Sequence, residues 1–318
     1  MIDAILVVVG LFALVVGGDL VVRGAVSVAR KLNVSPMVIG MTLVGFGTSL
    51  PELVTSLQAA FAGSPGIAVG NVVGSNIANI LLILGLSALI APILINPSAF
   101  RRDSAMLVGV TAVSIAVLVH GDVSRLAALL LLACFAAYIF IVVRVEGSTP
   151  TDANAVYEGE AGLVDTPTLS GFRSMLDLVG GFAILVAGAH SLITGAVSIA
   201  TDFQVPDAII GLTIVAIGTS LPELVTSAVA ARRGQGDIAF GNIIGSNIFN
   251  LLAILGTTAA VFPFTAPAEI AAFDVWVMGA VTLLLLVFAR TGWRIGRREG
   301  GFLLALYIGY TGYLISLP

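Results

Sequence analysis

Apolar residues occur along this chain in long uninterrupted blocks, separated by short polar stretches. About 20 consecutive apolar residues are needed to cross a bilayer as a helix. The pattern predicts ten such spans, near residues 2–22, 37–60, 67–91, 104–119, 124–143, 174–199, 207–230, 238–262, 271–289 and 301–317. Hydrophobic residues make up 58% of the chain and charged residues only 10%, which excludes an ordinary soluble domain. The sequence therefore predicts an all-α membrane protein with ten transmembrane helices.

The basic residues are distributed unevenly between the two sides of this arrangement. Every Lys and Arg except Arg125 flanks a loop that follows an odd-numbered span. Loops rich in Lys and Arg remain in the cytoplasm. We therefore expect a multi-pass protein of the cell membrane whose two termini both face outward.

Two strings of residues occur twice. GTSLPELVTS stands at 47–56 and at 218–227, and GNVVGSNIAN at 70–79 is matched by GNIIGSNIFN at 241–250. A constant offset of 171 residues aligns 24–85 with 195–256 without gaps, and more than half of the aligned residues are identical. Because each half has five spans, an odd number, the second half enters the membrane with opposite polarity, as in the inverted repeats of secondary transporters.

The repeat divides the chain into three parts. Residues 1–145 form a first five-helix repeat, and residues 171–318 form a second, inverted one. Residues 146–170 between them are polar and turn-rich, and we interpret them as a cytoplasmic linker.

Each copy of the first string places a glutamate, Glu52 or Glu223, inside an apolar span. An ionised side chain at the bilayer centre costs about 2.5 to 3.5 kcal/mol on insertion scales, so it needs a counter-charge. Neither string contains Lys or Arg beside its glutamate. We therefore expect a bound cation, shared by the two carboxylates.

Other oxygen-bearing side chains recur at helical spacing around these glutamates. In the first string of each half they share a helical face with the glutamate, and in the second string they step by four residues. The members are Thr48, Ser49, Ser75 and Asn79 in the first half and Thr219, Ser220, Ser246 and Asn250 in the second. In addition, Pro51 and Pro222 cannot donate a backbone hydrogen bond, which leaves the carbonyls of Gly47 and Gly218 available to an ion.

A cage of carboxylate, hydroxyl and amide oxygens suits Ca²⁺, which takes six to eight oxygen ligands. Zinc and copper prefer histidine and cysteine, and the chain has only two histidines and one cysteine. We expect Ca²⁺ as the bound ion and no cofactor besides bound ions. An enzyme is not expected, since neither a phosphate-binding loop nor a nucleophile and base motif is present.

Several other residues receive structural predictions. Gly40, Gly74, Gly211 and Gly245 are interpreted as positions of close helix packing. Asn76 and Asn247 are expected to fix helix geometry through hydrogen bonds. Asp19 is expected to pair with Arg23, one turn later on the same helix.

The paired GTSLPE and GNxxGSN strings, in two inverted halves of five spans, resemble the cation/calcium antiporter superfamily, specifically its prokaryotic sodium/calcium exchangers. The resemblance covers nearly the whole chain. It implies that the second, third, seventh and eighth helices form an ion-binding core, and that the first and sixth slide past this core to alternate access. It also implies exchange of three Na⁺ for one Ca²⁺, which moves net charge.

By the same resemblance, position-for-position matching implies four ion sites. Their lining would be Glu52, Thr48, Ser49, Ser75, Asn79, Glu223, Thr219, Ser220, Ser246 and Asn250, with main-chain oxygens near Gly45 and Ala216. This chain departs from the pattern in one respect. Some relatives carry aspartate at one of the positions of Asn79 and Asn250, whereas here both are asparagine, so the cavity has one fewer potential charge.

Three alternatives remain open at this point. A Ca²⁺/H⁺ antiporter could use the same carboxylates, although proton-coupled relatives usually carry an acid inside the GN string, where this chain has Gly-Ser. A K⁺-dependent Na⁺/Ca²⁺ exchanger would need K⁺ as a further ion. A cation channel is the alternative from another class, but the presence of both inverted halves in one chain favours a carrier.

Besides these ions, the expected partner is the lipid bilayer, with no nucleic acid and no obligate protein partner.

Overall fold

The structure is a computed structural model of the chain, and it describes residues 2–32, 36–63, 65–95, 97–146, 170–203 and 216–316. Nearly all regular structure in these ranges is helical. The first half contains α1 (Ile2–Leu32), α2 (Pro36–Ile39), α3 (Gly45–Thr48), α4 (Leu50–Phe61), α5 (Pro65–Ala78), α6 (Gly85–Ile90), α7 (Pro97–His120) and α8 (Arg125–Glu146). The second half contains α9 (Gly171–Asp202), α10 (Ala216–Thr219), α11 (Leu221–Arg232), α12 (Gly236–Ile248), α13 (Leu255–Val261), α14 (Val275–Arg290) and α15 (Arg297–Ser316).

Seven helices within the described ranges are long and apolar enough to cross a membrane. They are Ile2–Leu32, Pro65–Ile90, Asp103–His120, Arg125–Val142, Gly171–Ala196, Gly236–Val261 and Ile270–Arg290. This confirms the prediction of an all-helical membrane protein. The predicted spans 37–60 and 207–230 are not among the seven, because the first is interrupted and the second is described only from Ala216. The helix α15, which corresponds to the span at 301–317, is not among them either.

Two sequence predictions lie wholly or partly outside the described residues. The linker at 146–170 is described only at its ends, Glu146 and Ser170. Gly211 also falls in a range that the structure does not describe. The division into three parts therefore stays a prediction.

The first helix extends well beyond its predicted end at residue 22, because α1 continues to Leu32. Hydropathy detects only the apolar part of a helix, whereas long basic side chains such as Arg30 and Lys31 extend toward water at the end of a membrane helix. The added turns are stabilised by packing, since Ala25 and Val28 are buried.

Helices α1 and α9 run antiparallel, and glycines at seven-residue intervals hold them together. Gly10, Gly17 and Gly24 on α1 face α9, and a Cβ on Gly10 would lie 2.7 Å from the backbone nitrogen of Leu192. From the other side, a Cβ on Gly181 would lie 2.8 Å from the backbone nitrogen of Val21. Small residues allow this close approach of two membrane helices. The two long helices consequently form one tightly packed pair.

The helices that carry the repeated strings are irregular. Ser49, with φ −85° and ψ 9°, separates α3 from α4, and Ser220, with φ −88° and ψ 9°, separates α10 from α11. A proline in the first turn of α4 and of α11 follows each break, where its missing N–H costs little. π-Helical turns occur at Gly40–Val44, Asn79–Leu84 and Phe249–Ile254, next to the strings, and at Ile270–Asp274. Such turns are frequent at functional sites.

Four two-residue strands join the halves. The strand β1 (Ile93–Leu94) pairs antiparallel with β4 (Arg294–Ile295), and β2 (Asp122–Val123) pairs antiparallel with β3 (Phe264–Thr265). Each pair connects a loop of the first half to a loop of the second.

Candidate ion-binding site

Glu52 and Glu223 lie in one buried cluster, and each is bonded to the opposite half of the chain. The hydroxyl of Ser49 donates a hydrogen bond of 2.7 Å to Oε1 of Glu223. The hydroxyl of Ser220 donates one of 3.0 Å to Oε1 of Glu52. Both glutamates are only 1% exposed. Because each serine lies three residues before a glutamate of its own half, these crossed bonds bring the two carboxylates into the same site.

A second layer of hydrogen bonds supports the glutamate-bearing helices. Asn71 donates to Ser56 Oγ at 2.9 Å and to the carbonyl of Glu52 at 3.1 Å. In the other half, Asn242 donates to Ser227 Oγ at 2.8 Å and to the carbonyl of Glu223 at 3.4 Å. The two halves therefore use the same bonds to hold α5 against α4 and α12 against α11.

Several polar atoms of the cluster are buried and have no hydrogen-bond partner among the described residues. They are Glu52 Oε2, Glu223 Oε2, Asn79 Oδ1, and both polar atoms of the Asn250 amide. An unsatisfied buried polar atom costs roughly 1 to 3 kcal/mol, and more when it is charged. A cation would satisfy the oxygens among them, so the unpartnered atoms fit a cation site.

The asparagines on the second string of each half are not equivalent. Asn79 donates from Nδ2 to Asn247 Oδ1 at 2.9 Å. The repeat-related bond, from Asn250 to Asn76, is not formed. Asn76 instead donates to the carbonyl of Val72 on its own helix at 2.7 Å. Asn76 and Asn247 thus hydrogen-bond to helical groups, as expected from the sequence, while the side chain of Asn250 stays unpartnered within the described part of the chain.

Several other predicted ligands lie in or beside the same cluster. The hydroxyl of Thr48 is 3.1 Å from the carbonyl of Val44 and 3.2 Å from Asn242 Oδ1. The hydroxyls of Ser220 and Ser75 are 3.5 Å apart. The hydroxyl of Ser246 donates to the carbonyl of Gly45 at 3.1 Å, so this carbonyl does lie beside the second half. Thr219 is buried, and Ala216 begins α10.

Glycines allow the backbone of α12 to reach the π-helical turn at Gly40–Val44. A Cβ on Gly245 would lie 2.1 Å from the carbonyl oxygen of Met41, and one on Gly40 would lie 2.8 Å from that of Ile238. The predicted packing role of these two glycines agrees with this geometry. For Gly74 no described atom beyond the neighbouring backbone of its own helix lies within 4 Å of such a Cβ, so the predicted packing role does not hold there.

No basic side chain neutralises the glutamates within the described ranges. Ion pairs in these ranges include those of Asp19 with Arg23, Asp19 with Arg233, and Asp177 with Arg173. The same ranges contain no group of three or more His, Cys, Asp and Glu side chains that could hold a metal. A cation in this site would therefore rely on two carboxylates together with neutral oxygens, as Ca²⁺ and Na⁺ do more readily than transition metals.

A membrane-embedded helical fold with a buried oxygen-lined carboxylate pair defines a class of protein, the cation transporters. Comparison with known proteins is more specific. The family described as "Sodium/calcium exchanger protein" matches residues 2–144 and again residues 174–316. The chain belongs to this sodium/calcium exchanger family. It is accordingly a member of a family of cation/Ca²⁺ antiporters, which are transporters and not enzymes.

Individual relatives match over nearly their whole length. CaxA of Alkalimonas amylolytica is 43% identical, with 99% of each chain covered. The sodium/calcium exchanger MaX1 of Methanosarcina acetivorans is 34% identical, with 97% of each chain covered. The solved structure of the sodium-calcium exchanger NCX_Mj, soaked with Na⁺ and Ca²⁺, is 33% identical with a TM-score of 0.85, covering 100% of this chain and 99% of that one.

Sequence reasoning missed three features of the site. It did not foresee that Ser49 and Ser220 would bond across the repeat, although both were candidate ligands. It did not foresee that Ser56 and Asn71, one from each repeated string of the first half, bond to each other. It also paired Asp19 only with Arg23, while the structure adds Arg233. Each missed contact joins residues far apart in the chain, and helical periodicity carries no information about such pairs.

Proposed function

We propose that this protein exchanges Na⁺ for Ca²⁺ across the cell membrane by alternating access, with three Na⁺ per Ca²⁺. The observation that carries the proposal is the pair of buried glutamates, one from each half, each held by a serine of the other half and each with an unpartnered buried oxygen. MaX1 and NCX_Mj are both named as sodium/calcium exchangers, which supports the choice of ions.

The proposed ligand set is the one implied by family resemblance. It comprises Glu52, Thr48, Ser49, Ser75, Asn79, Glu223, Thr219, Ser220, Ser246 and Asn250, with main-chain oxygens of Gly45 and Ala216. Burial of the ten side chains supports this proposal.

Charge balance gives the exchange its physical basis. Two carboxylates neutralise one Ca²⁺ or accept several Na⁺, but they are costly to leave empty in a medium of low dielectric constant. If only the loaded core crosses the barrier, the entry of Na⁺ down its gradient obliges Ca²⁺ to leave. Three Na⁺ against one Ca²⁺ would carry one net positive charge per cycle.

The proposed arrangement in the membrane has ten helices in two inverted repeats, residues 1–145 and 171–318, joined by a cytoplasmic linker at 146–170. Both termini would face outward. The concentration of Lys and Arg in loops after odd-numbered spans supports this orientation. The two separate matches of the family, one in each half, support the repeat.

Calcium uptake into sodium-loaded vesicles under an imposed voltage tests substrate, coupling and net charge movement together. We expect uptake to require internal Na⁺. Three Na⁺ leaving for each Ca²⁺ that enters remove one net positive charge from the interior, so an interior-positive voltage should accelerate uptake. Uptake driven by a proton gradient without Na⁺ would favour the Ca²⁺/H⁺ antiporter. A requirement for K⁺ would favour the K⁺-dependent exchanger, and single-channel currents would favour a channel.

A further inference from the structure

The two halves differ in how their long helix meets the glutamate-bearing helix. On one side α1 lies against α11, where a Cβ on Gly18 would be 2.9 Å from a methyl group of Val225. The repeat-related helices, α9 and α4, make no contact of comparable extent among the described residues. Val54, the repeat mate of Val225, is 51% exposed, whereas Val225 is half-buried. Helix α1 therefore covers α11, which we call the closed side, whereas α9 leaves the equivalent face of α4 uncovered, which we call the open side.

An ion pair lies at the closed contact. Asp19 on α1, next to Gly18, accepts a hydrogen bond from the guanidinium of Arg233 at the C-terminal end of α11. The other carboxylate oxygen of Asp19 is 3.4 Å from Nε of Arg23 on its own helix. One carboxylate thus separates two guanidinium groups and joins the long helix to the helix that carries Glu223.

The repeat contains no equivalent of this ion pair. At the offset of 171 residues, His190 corresponds to Asp19 and Ala62 corresponds to Arg233. An alanine cannot form an ion pair, so the open side lacks the attraction that the closed side has. In a carrier built from inverted repeats, the two end states exchange the conformations of the halves. An interaction available to only one half therefore stabilises one end state over the other.

We propose that the contact between Asp19 and Arg233 is a one-sided latch that holds α1 against α11 and biases the carrier toward the state open on the opposite, external side. This rests on the proposed function and on its orientation, in which Arg233 lies in a cytoplasmic loop. The side chains of Arg233 and Asp19 are 31% and 34% exposed. Partly exposed ion pairs change an equilibrium by roughly two- to fivefold. A latch of this strength biases the two states and still opens in every cycle.

The test uses the full chain in vesicles, with Cys134→Ser to remove the native thiol and a single reporter, Val54→Cys or Val225→Cys. A membrane-impermeant maleimide is applied from either side without ion gradients. Arg233→Gln should slow external labelling at position 54 and accelerate cytoplasmic labelling at position 225, changing the ratio of the rates roughly two- to fivefold. The neighbouring Arg232→Gln, which removes the same charge from an exposed residue, should leave the ratio unchanged.

Two further variants separate the contact from effects of single residues. Asp19→Asn should shift the ratio in the same direction as Arg233→Gln, and the double variant should shift it by less than the two single changes combined. His190→Asp with Ala62→Arg installs the pair on the other side, so it should also lower external labelling at position 54. This gain of a contact provides a test even if Arg233→Gln does not fold.

Unchanged ratios in Arg233→Gln and Asp19→Asn vesicles, with wild-type vesicles exchanging Na⁺ for Ca²⁺, would overturn the latch and leave the proposed function intact. Strictly additive effects of the two substitutions would also overturn it. Failure of the wild type to exchange these ions would instead contradict the proposed function, because labelling is measured separately from transport.

Discussion

Ser49 in the first half and Glu223 in the second are joined by a hydrogen bond of 2.7 Å, and Ser220 and Glu52 form the reciprocal bond of 3.0 Å. Each glutamate is thus oriented by the other half of the chain. Relative movement of α4 and α11 would break both bonds together. The carboxylate pair therefore depends on contact between the two halves.

Removing either buried charge should abolish exchange. Glu52→Gln and Glu223→Gln each keep the shape of the side chain but leave one carboxylate, which cannot neutralise Ca²⁺ in a medium of low dielectric constant. We expect sodium-driven calcium flux in liposomes to fall to background. The exposed carboxylate Asp122 offers a control, and Asp122→Asn should retain flux. Robust flux by either glutamine variant would refute the assignment of the site.

Ser49 and Ser220, which each bond to the glutamate of the opposite half, should contribute about equally to calcium affinity. Ser49→Ala and Ser220→Ala each remove a hydrogen bond to a charged group, which is worth about 1.5 to 3 kcal/mol, so calcium affinity should fall roughly tenfold or more. Isothermal titration of the purified protein measures this change. Ser87 is buried without a hydrogen-bond partner among the described residues, and Ser87→Ala should therefore have little effect. Equal affinities for wild type and both site variants would exclude a role for the crossed bonds.

Protons should compete with Ca²⁺. Two carboxylates that share a buried site lose the charge that attracts a divalent cation when either one binds a proton. We expect calcium affinity to decrease as the pH is lowered from neutral to acidic, with excess Ca²⁺ restoring occupancy. Affinity that stays constant over this range would contradict the shared site.

The glycine contacts between α1 and α9 should be sensitive to a single methyl group. A Cβ on Gly181 would lie 2.8 Å from Val21, whereas one on the adjacent Gly180 has no described atom within 4 Å beyond the neighbouring backbone of its own helix. Overpacking typically costs 1 to 3 kcal/mol, so we expect Gly181→Ala to lower the apparent melting temperature in detergent. Gly180→Ala should not lower it. Equal melting temperatures for the two variants would indicate that the helices separate easily.

Local periodicity predicts which side chains near each glutamate share its helical face. Glu52 and Ser49 lie three residues apart in the sequence, and a regular helix of 3.6 residues per turn would place both on one face, although in the structure the helix breaks at Ser49. Because the string occurs twice, the same reasoning predicts a second helical face with the same polar side chains. Burial of both glutamates agrees with this prediction.

Pairings between distant residues and departures from regular helix could not be predicted in this way. The bond between Asn79 and Asn247 depends on how two helices rotate against each other, and its repeat mate is not formed. The π-helical turn at Asn79–Leu84 requires one extra residue per turn, a change that leaves hydropathy unaltered. Strands of two residues, such as β1, are too short to produce an alternating pattern.

The paired strands at the loops have a consequence for assembly. In the proposed topology β1 and β4 lie on the cytoplasmic face, and β2 and β3 lie on the external face. Backbone hydrogen bonds therefore connect the two halves at both surfaces. The pairing of β2 with β3 requires the chain as far as Thr265, and that of β1 with β4 requires it as far as Ile295, so neither pair can form until much of the second half has been made. The covalent connection between the halves is then largely redundant, and two separately translated fragments, cut between residues 147 and 169, should find each other in the bilayer and form the complete protein.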